Sequence, residues 1–151
     1  MGEIALSISS LYELDFYAWA NEQAALLRAG KLSQADIEHI AEEIESMGKT
    51  EKRELISRLT VLLAHLLKWQ YQPVRRGASW EVTIGTQRRA LDRHLKDNPS
   101  LKSKLDEAIA DAYLDARGEA YVETALPKAT FPTECPWTFE QMMDETFWPE
   151  S

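Results

Sequence analysis

A chain of 151 residues is long enough to bury one hydrophobic core and short for two. With 44% hydrophobic and 28% charged residues, six glycines and a single cysteine, it is neither disordered, fibrous nor held by disulfides. Its net charge of -8 repels polyphosphates at long range, which argues against nucleic acid as its main partner.

The first helical pattern runs from about Tyr12 to Ala29, with Tyr12, Phe16, Trp19, Leu26 and Leu27 on one face and Gly30 as a left-handed stop. Ser33, followed three residues later by Asp36, resembles a capping box for a second helix to about Met47, with Ile37, Ile40, Ala41, Ile44 and Met47 as its inner stripe. Gly48 allows a break, and Thr50 can cap a third helix to about Tyr71. Leu55, Leu59, Leu62, Leu63, Leu66 and Leu67 make that third helix the central one. Ser79 is placed to cap a fourth helix, Trp80 to about Asp97, with Trp80, Ile84, Leu91 and Leu95 inward. Asn98 and Pro99 open a fifth helix to about Ala125, whose inner stripe is Leu101, Leu105, Ala108, Ala112 and Ala116.

Beyond Leu126, four prolines forbid a long helix, while Trp137, Phe139, Met142, Phe147 and Trp148 demand cover. A docked arm with one short helix, about Thr138 to Glu145, is expected. No segment alternates with the period of a strand. The reading is an all-α, up-down bundle of four to five helices in a single domain over residues 1–151. Its core bundle covers about residues 11–126 and its proline- and aromatic-rich arm about 127–151.

The stretch Leu59 to Leu67, interrupted by Thr60 and His65, falls far short of the roughly 20 residues a membrane span needs. The string MGEIALSISSLYELD has no basic n-region and carries acids, unlike a secretory or transit peptide. Cys135 lies between Glu134 and Pro136 with no base beside it, so it reads as a small structural residue in a reducing, cytoplasmic setting.

The strings YELDFYAWANEQAALLRAG, AEEIESMGKTEKREL, LLAHLLKWQYQP, SWEVTIGTQRRAL, NPSL, ETALP, FPTECPW and FWP follow one another from about Leu11 to Pro149. In that order they resemble the bacterial family of domains of unknown function numbered twenty-nine. The resemblance implies a small helical protein common in bacteria, cyanobacteria among them, with no agreed reaction, substrate or cofactor. Glu43, His65, Lys68, Trp69, Arg88 and Glu123 match its pattern, and it assigns them no roles.

Polar residues on apolar helix faces need partners, since burying one alone costs roughly 1–3 kcal/mol. His65 falls with Arg58, Leu62 and Trp69 on a second face of the central helix, and Gln87 and His94 fall on the inward face of the fourth, bordered by Arg88. Hairpins folded at Gly48 and at residues 75–76 would bring Arg58 level with His39 and Glu43, and His65 level with Gln87. Glu43, Arg58, His65, Gln87 and Arg88, with Glu123 at one end, then form either a polar pocket or a buried hydrogen-bond network that fixes helix register. The network is the reading favoured, as isolated polar groups on helix faces more often support structure.

Residues 1–50 hold 9 acids and 3 bases, residues 51–105 hold 5 and 12, and residues 106–151 hold 11 and 2. Arg75, Arg76, Arg89, Arg93 and Lys96, extended by Lys102 and Lys104, form a candidate basic patch with Trp80 as a stacking ring. Neutralisation against the acidic helices is the simpler account. His39, His65 and His94 sit on three different helices outside any metal-binding spacing, so no metal is expected; Asp36-x-x-His39 is the nearest match to a bundle motif. Phosphate-loop, dinucleotide and nucleophile-elbow motifs are lacking, and no cofactor is expected. Glu42 and Glu45 read as a solvated surface. By elimination the chain is of unknown function and reads as a non-catalytic interaction or regulatory module, with another protein as the partner. The alternatives are a small-ligand binder or enzyme around His65, and nucleic-acid binding through the basic middle.

Overall fold

The computed structural model describes residues 11–150, so most of the N-terminal string lies outside the described residues. Those residues form an all-α helical bundle in which no strand occurs. The helices are α1 (Phe16–Arg28), α2 (Ile37–Tyr71), α3 (Ala78–Asp97), α4 (Leu105–Thr124) and the short α5 (Phe139–Met143). Their packing divides into two units, residues 11–49 and 50–150.

In the first unit, the single helix expected from Tyr12 is interrupted at Asp15. This residue caps α1 by accepting from the Ala18 N–H at 3.0 Å, leaving a separate helical turn over residues 11–14. Gly30 stops α1 with φ of 72°, as the sequence requires. Ser33 does not cap the next helix. It sits in a 3₁₀ turn, Leu32–Gln34, and the Asp36 carboxylate takes the His39 N–H instead.

The largest departure is at Gly48, where α2 continues unbroken for 35 residues. A glycine inside a helix costs about 1 kcal/mol relative to alanine, which the flanking turns absorb; a break would forfeit several ladder hydrogen bonds. The stripe expected on residues 37–47 is also different: Ile37, Ile44 and Met47 are exposed, by 55%, 64% and 69%.

In the second unit, Leu55, Leu59, Leu62, Leu63, Leu66 and Leu67 of α2 are wholly buried, packed with Ile84, Leu91 and Leu95 of α3. The small stripe Ala108, Ala112, Ala116 and Ala120 of α4 faces the same core. Side-chain pairs set the register. Seven residues forward on α2, from Glu51 to Arg58, correspond to seven back on α3, from His94 to Gln87, so these helices run antiparallel. Lys52–Glu107 and Lys68–Glu123 share one offset of 55, so α2 and α4 run parallel. α3 begins at Ala78, one residue ahead of the expected cap Ser79, after an extended Gly77. Pro99–Lys104 is a 3₁₀ stretch ahead of α4, and the Asn98 side chain donates back to the His94 carbonyl at 3.1 Å, closing α3 rather than opening α4.

The arm docks as expected, with Phe131 and Met142 in the core. Its helix is shorter than expected, and Thr138 and Gln141 cap it reciprocally. The Tyr113 hydroxyl donates to the Pro132 carbonyl at 2.6 Å, and Arg117 donates to the Phe131 and Lys128 carbonyls. None of the helices among the described residues is long and apolar enough to cross a membrane.

Candidate functional site

Of the residues expected around His65, the structure joins Arg58 to Gln87 and gives His65 a partner on its own helix. His65 is half-buried, and its Nδ1–H donates to the Val61 carbonyl at 2.8 Å, a bond to its own helix. Burial pushes the His65 imidazole below its ordinary value, and the nearby Lys68 charge adds to this. Gln87 lies 3.4 Å from Arg58, and the hairpin register puts it seven residues, or about 10 Å, from His65 along α2. The expected level with His65 fails because the chain does not fold symmetrically about residues 75–76. Glu123 pairs with the buried Lys68 at 2.5 Å, and that ammonium also lies over the Trp80 ring.

Glu43 and Arg58 stand on one unbroken helix, α2, so the turn at Gly48 on which their expected pairing relied does not exist. Glu43 instead accepts the Tyr12 hydroxyl, which pushes that phenol up to about 12. Beside this pair, the Tyr12 ring stacks on His39, whose Nδ1 lies 2.6 Å from Asp36. Asp36 also accepts from Trp19 Nε1 at 3.1 Å, while its backbone N–H donates to Gln23 at 2.7 Å. The Asp36 hydrogen bond holds His39 above its ordinary value. Burial works to raise Asp36, but the hydrogen bonds from His39 and Trp19 hold its carboxyl below the usual range.

Arg88 serves the arm. Buried, it donates from Nε to the Met142 carbonyl at 2.7 Å and from a terminal nitrogen to the Phe147 carbonyl at 2.8 Å, and its guanidinium faces the Trp148 ring. Arg76 similarly donates to the Trp69 carbonyl at 2.6 Å and lies over the Trp69 ring. Arg76, a member of the candidate basic patch, is thus committed to holding the chain's own backbone. Arg75, Arg89, Arg93 and Lys96 are exposed, with Lys96 paired to Asp92.

Two of the concave surfaces differ sharply in lining. One, of about 530 Å³, lies between α2 and α4 and is lined by Ser57, Thr60, Asp115 and Glu119 among others; His65 is not in its wall. Burial, together with Glu123 and Asp115, pushes the Glu119 carboxyl up. The other, of about 380 Å³, lies within residues 11–49 and is walled mainly by carbon from Phe16, Trp19, Leu27, Ile40, Ile44 and Met47.

One cluster escapes the sequence reading. His94, 6% exposed, places Nδ1 2.7 Å from Glu54 Oε2 and 3.7 Å from Glu51 Oε2, with Nε2 2.8 Å from the Glu51 carbonyl. The signal was available in the inward position of His94 and the i, i+3 spacing of the two acids. It becomes legible only once the α2–α3 register is known.

Neither the curated proteins nor the solved structures contain a match to this chain. The family model described as "Domain of unknown function DUF29" matches residues 11–148, in keeping with the order of strings from Leu11 to Pro149, and the chain belongs to that family.

Proposed function

We propose that the chain is a non-catalytic interaction module whose residues 11–49 receive a basic amphipathic helix of another protein. The observation that carries this reading is the carbon-walled groove beside α1, where Phe16, Leu27, Ile44 and Met47 are 41–69% exposed. Ile40, Ile44 and Met47 follow the 4-and-3 spacing of one helical face, and a groove flanked by helices accepts the apolar stripe of a third. Eight acids and three bases occupy residues 11–49, so a partner with lysine and arginine beside its apolar stripe is favoured in approach and register. The same acidity opposes a second copy of this face. The polar side chains next to the groove are spent on one another, in the network of Tyr12, Trp19, Gln23, Asp36, His39 and Glu43. That closure speaks for recognition by shape and charge rather than for chemistry.

A cytoplasmic location goes with this reading. The lone cysteine, Cys135, is half-buried with its thiol facing the Trp137 carbonyl at 3.5 Å, and burial pushes that thiol up, away from the reactive thiolate form.

The test uses a labelled helical peptide of leucine and lysine, with an apolar stripe on one face, titrated by fluorescence anisotropy. The full chain should bind it, and I44Q/M47Q should weaken binding by about tenfold or more at unchanged helical circular dichroism. Equal binding of a scrambled peptide of the same composition would reduce the effect to charge alone and sink the proposal. Concentration-dependent dimerisation abolished by the same substitutions would assign the groove to a second copy instead.

A further inference from the structure

We infer that Glu51, Glu54 and His94 form a binding site for one divalent first-row transition ion within the 50–150 unit. The Glu51 carbonyl can only accept a hydrogen bond, so the His94 Nε2, 2.8 Å away, is the protonated nitrogen and donates. This bond turns the Nδ1 lone pair toward the two carboxylates. It is the arrangement by which metal-binding histidines are oriented, with the far ring nitrogen tied to a carbonyl or carboxylate.

One donor atom from each of the three side chains lies within 4.8 Å of the others. Ligand atoms around a tetrahedral ion with bonds near 2.0–2.2 Å stand about 3.3–3.6 Å apart. The observed separations from Nδ1, 2.7 Å to Glu54 and 3.7 Å to Glu51, bracket that value. Closing the gap needs only rotation of two glutamates whose side chains are about half-exposed, 48% and 45%, while the buried imidazole stays fixed. The i, i+3 spacing of Glu51 and Glu54 puts both carboxylates on one face of α2, and the antiparallel run of α3 brings His94 against that face.

The donor set decides the class of ion. One imidazole with two carboxylates is too nitrogen-rich for Ca²⁺ or Mg²⁺ and lacks the sulfur that Cu⁺ prefers, which leaves ions such as Zn²⁺ and Mn²⁺. Three protein donors leave coordination positions open on the solvent side, where water completes the shell; the site is therefore labile rather than closed. Arg58 limits its strength. The guanidinium Nε lies 3.7 Å from the same Glu54 Oε2 and has no hydrogen-bond partner, so this cation competes with the ion for one carboxylate.

Calorimetric titration of the metal-stripped full chain with Zn²⁺, and the visible spectrum of bound Co²⁺, test the site. The expected result is one ion per chain, weakened about tenfold or more in E51Q/E54Q with the helical signal unchanged. R58Q should tighten uptake several-fold, a response that neither a plain ion pair nor scattered surface carboxylates would give. H94N should also lose the ion; where it fails to fold, the glutamate double variant decides. No stoichiometric uptake would overturn the inference and leave a proton as the occupant between His94 and Glu54. Uptake undiminished in E51Q/E54Q would place the ion elsewhere on this acidic chain and overturn it equally.

Discussion

Residues 11–49 and residues 50–150 solve burial in opposite ways. The larger unit sinks six leucines of α2 completely against aliphatic α3, the alanine seam of α4 and the arm. The smaller unit buries only Trp19 and Gln23 on α1 and ties its segments through Asp36, which is met by Trp19, His39 and Gln23. Non-directional carbon packing tolerates small errors of position, whereas a hydrogen-bond hub depends on protonation and geometry. The hub also leaves apolar side chains outside it, and these form the groove that an occupant would cover.

The sharpest way to break this contrast is truncation. Leu63→Ala should cost about 2–5 kcal/mol in denaturant unfolding, whereas Ile44→Ala, at an exposed position, should change stability by about 0.5 kcal/mol or less. Comparable losses would mean that the groove is not open in solution. Arg88→Ala should cost about 1.5–3 kcal/mol, because two arm carbonyls lose a charged donor, and tryptophan emission should shift to longer wavelength as Trp148 is uncovered. An unchanged spectrum would show that the aromatic contacts alone hold the arm.

Acid and base should act chiefly on the smaller unit. His39 is raised by Asp36, so its contribution is complete below its ordinary 6.5 and is lost as pH climbs through its higher folded value. Asp36 is lowered, so its contribution is complete above its ordinary 3.8 and is lost as pH falls through its lower folded value. Protection of the α1 amides, with the intrinsic pH dependence of exchange divided out, should therefore be greatest between those two ordinary values. His39→Gln should remove the loss on the alkaline side while the 50–150 core stays unaffected. The smallest effect is expected at the point where the two units meet in sequence. Gly48 has open space around its missing Cβ and helical neighbours on both sides, so Gly48→Ala should stabilise the chain by about 0.5–1 kcal/mol. A loss would indicate the broken helix that glycine suggests on its own.

Much of the architecture follows from periodicity. The leucine arc of residues 55–67, the alanine stripe of α4 and the covered aromatic arm were legible because each requires only the local 3.6-residue repeat or a proline boundary. Site positions were less legible. Arg88 borders an apolar face in sequence, yet its role comes from carbonyls at Met142 and Phe147, more than fifty residues away. The Glu43–Arg58 pairing failed on one assumed turn, and with it went the common level of the supposed pocket.

By itself, the amino-acid order determined the helical class, the greasiest helix and the family pattern, since dihedral preference and amphipathic spacing act over a few residues. Tertiary structure alone decided the continuity through Gly48, the pairing of Arg58 with Gln87 and the meeting of His94 with Glu51 and Glu54. Those outcomes depend on how side chains from distant segments interdigitate: a slip of two turns preserves every apolar stripe while changing every polar partner.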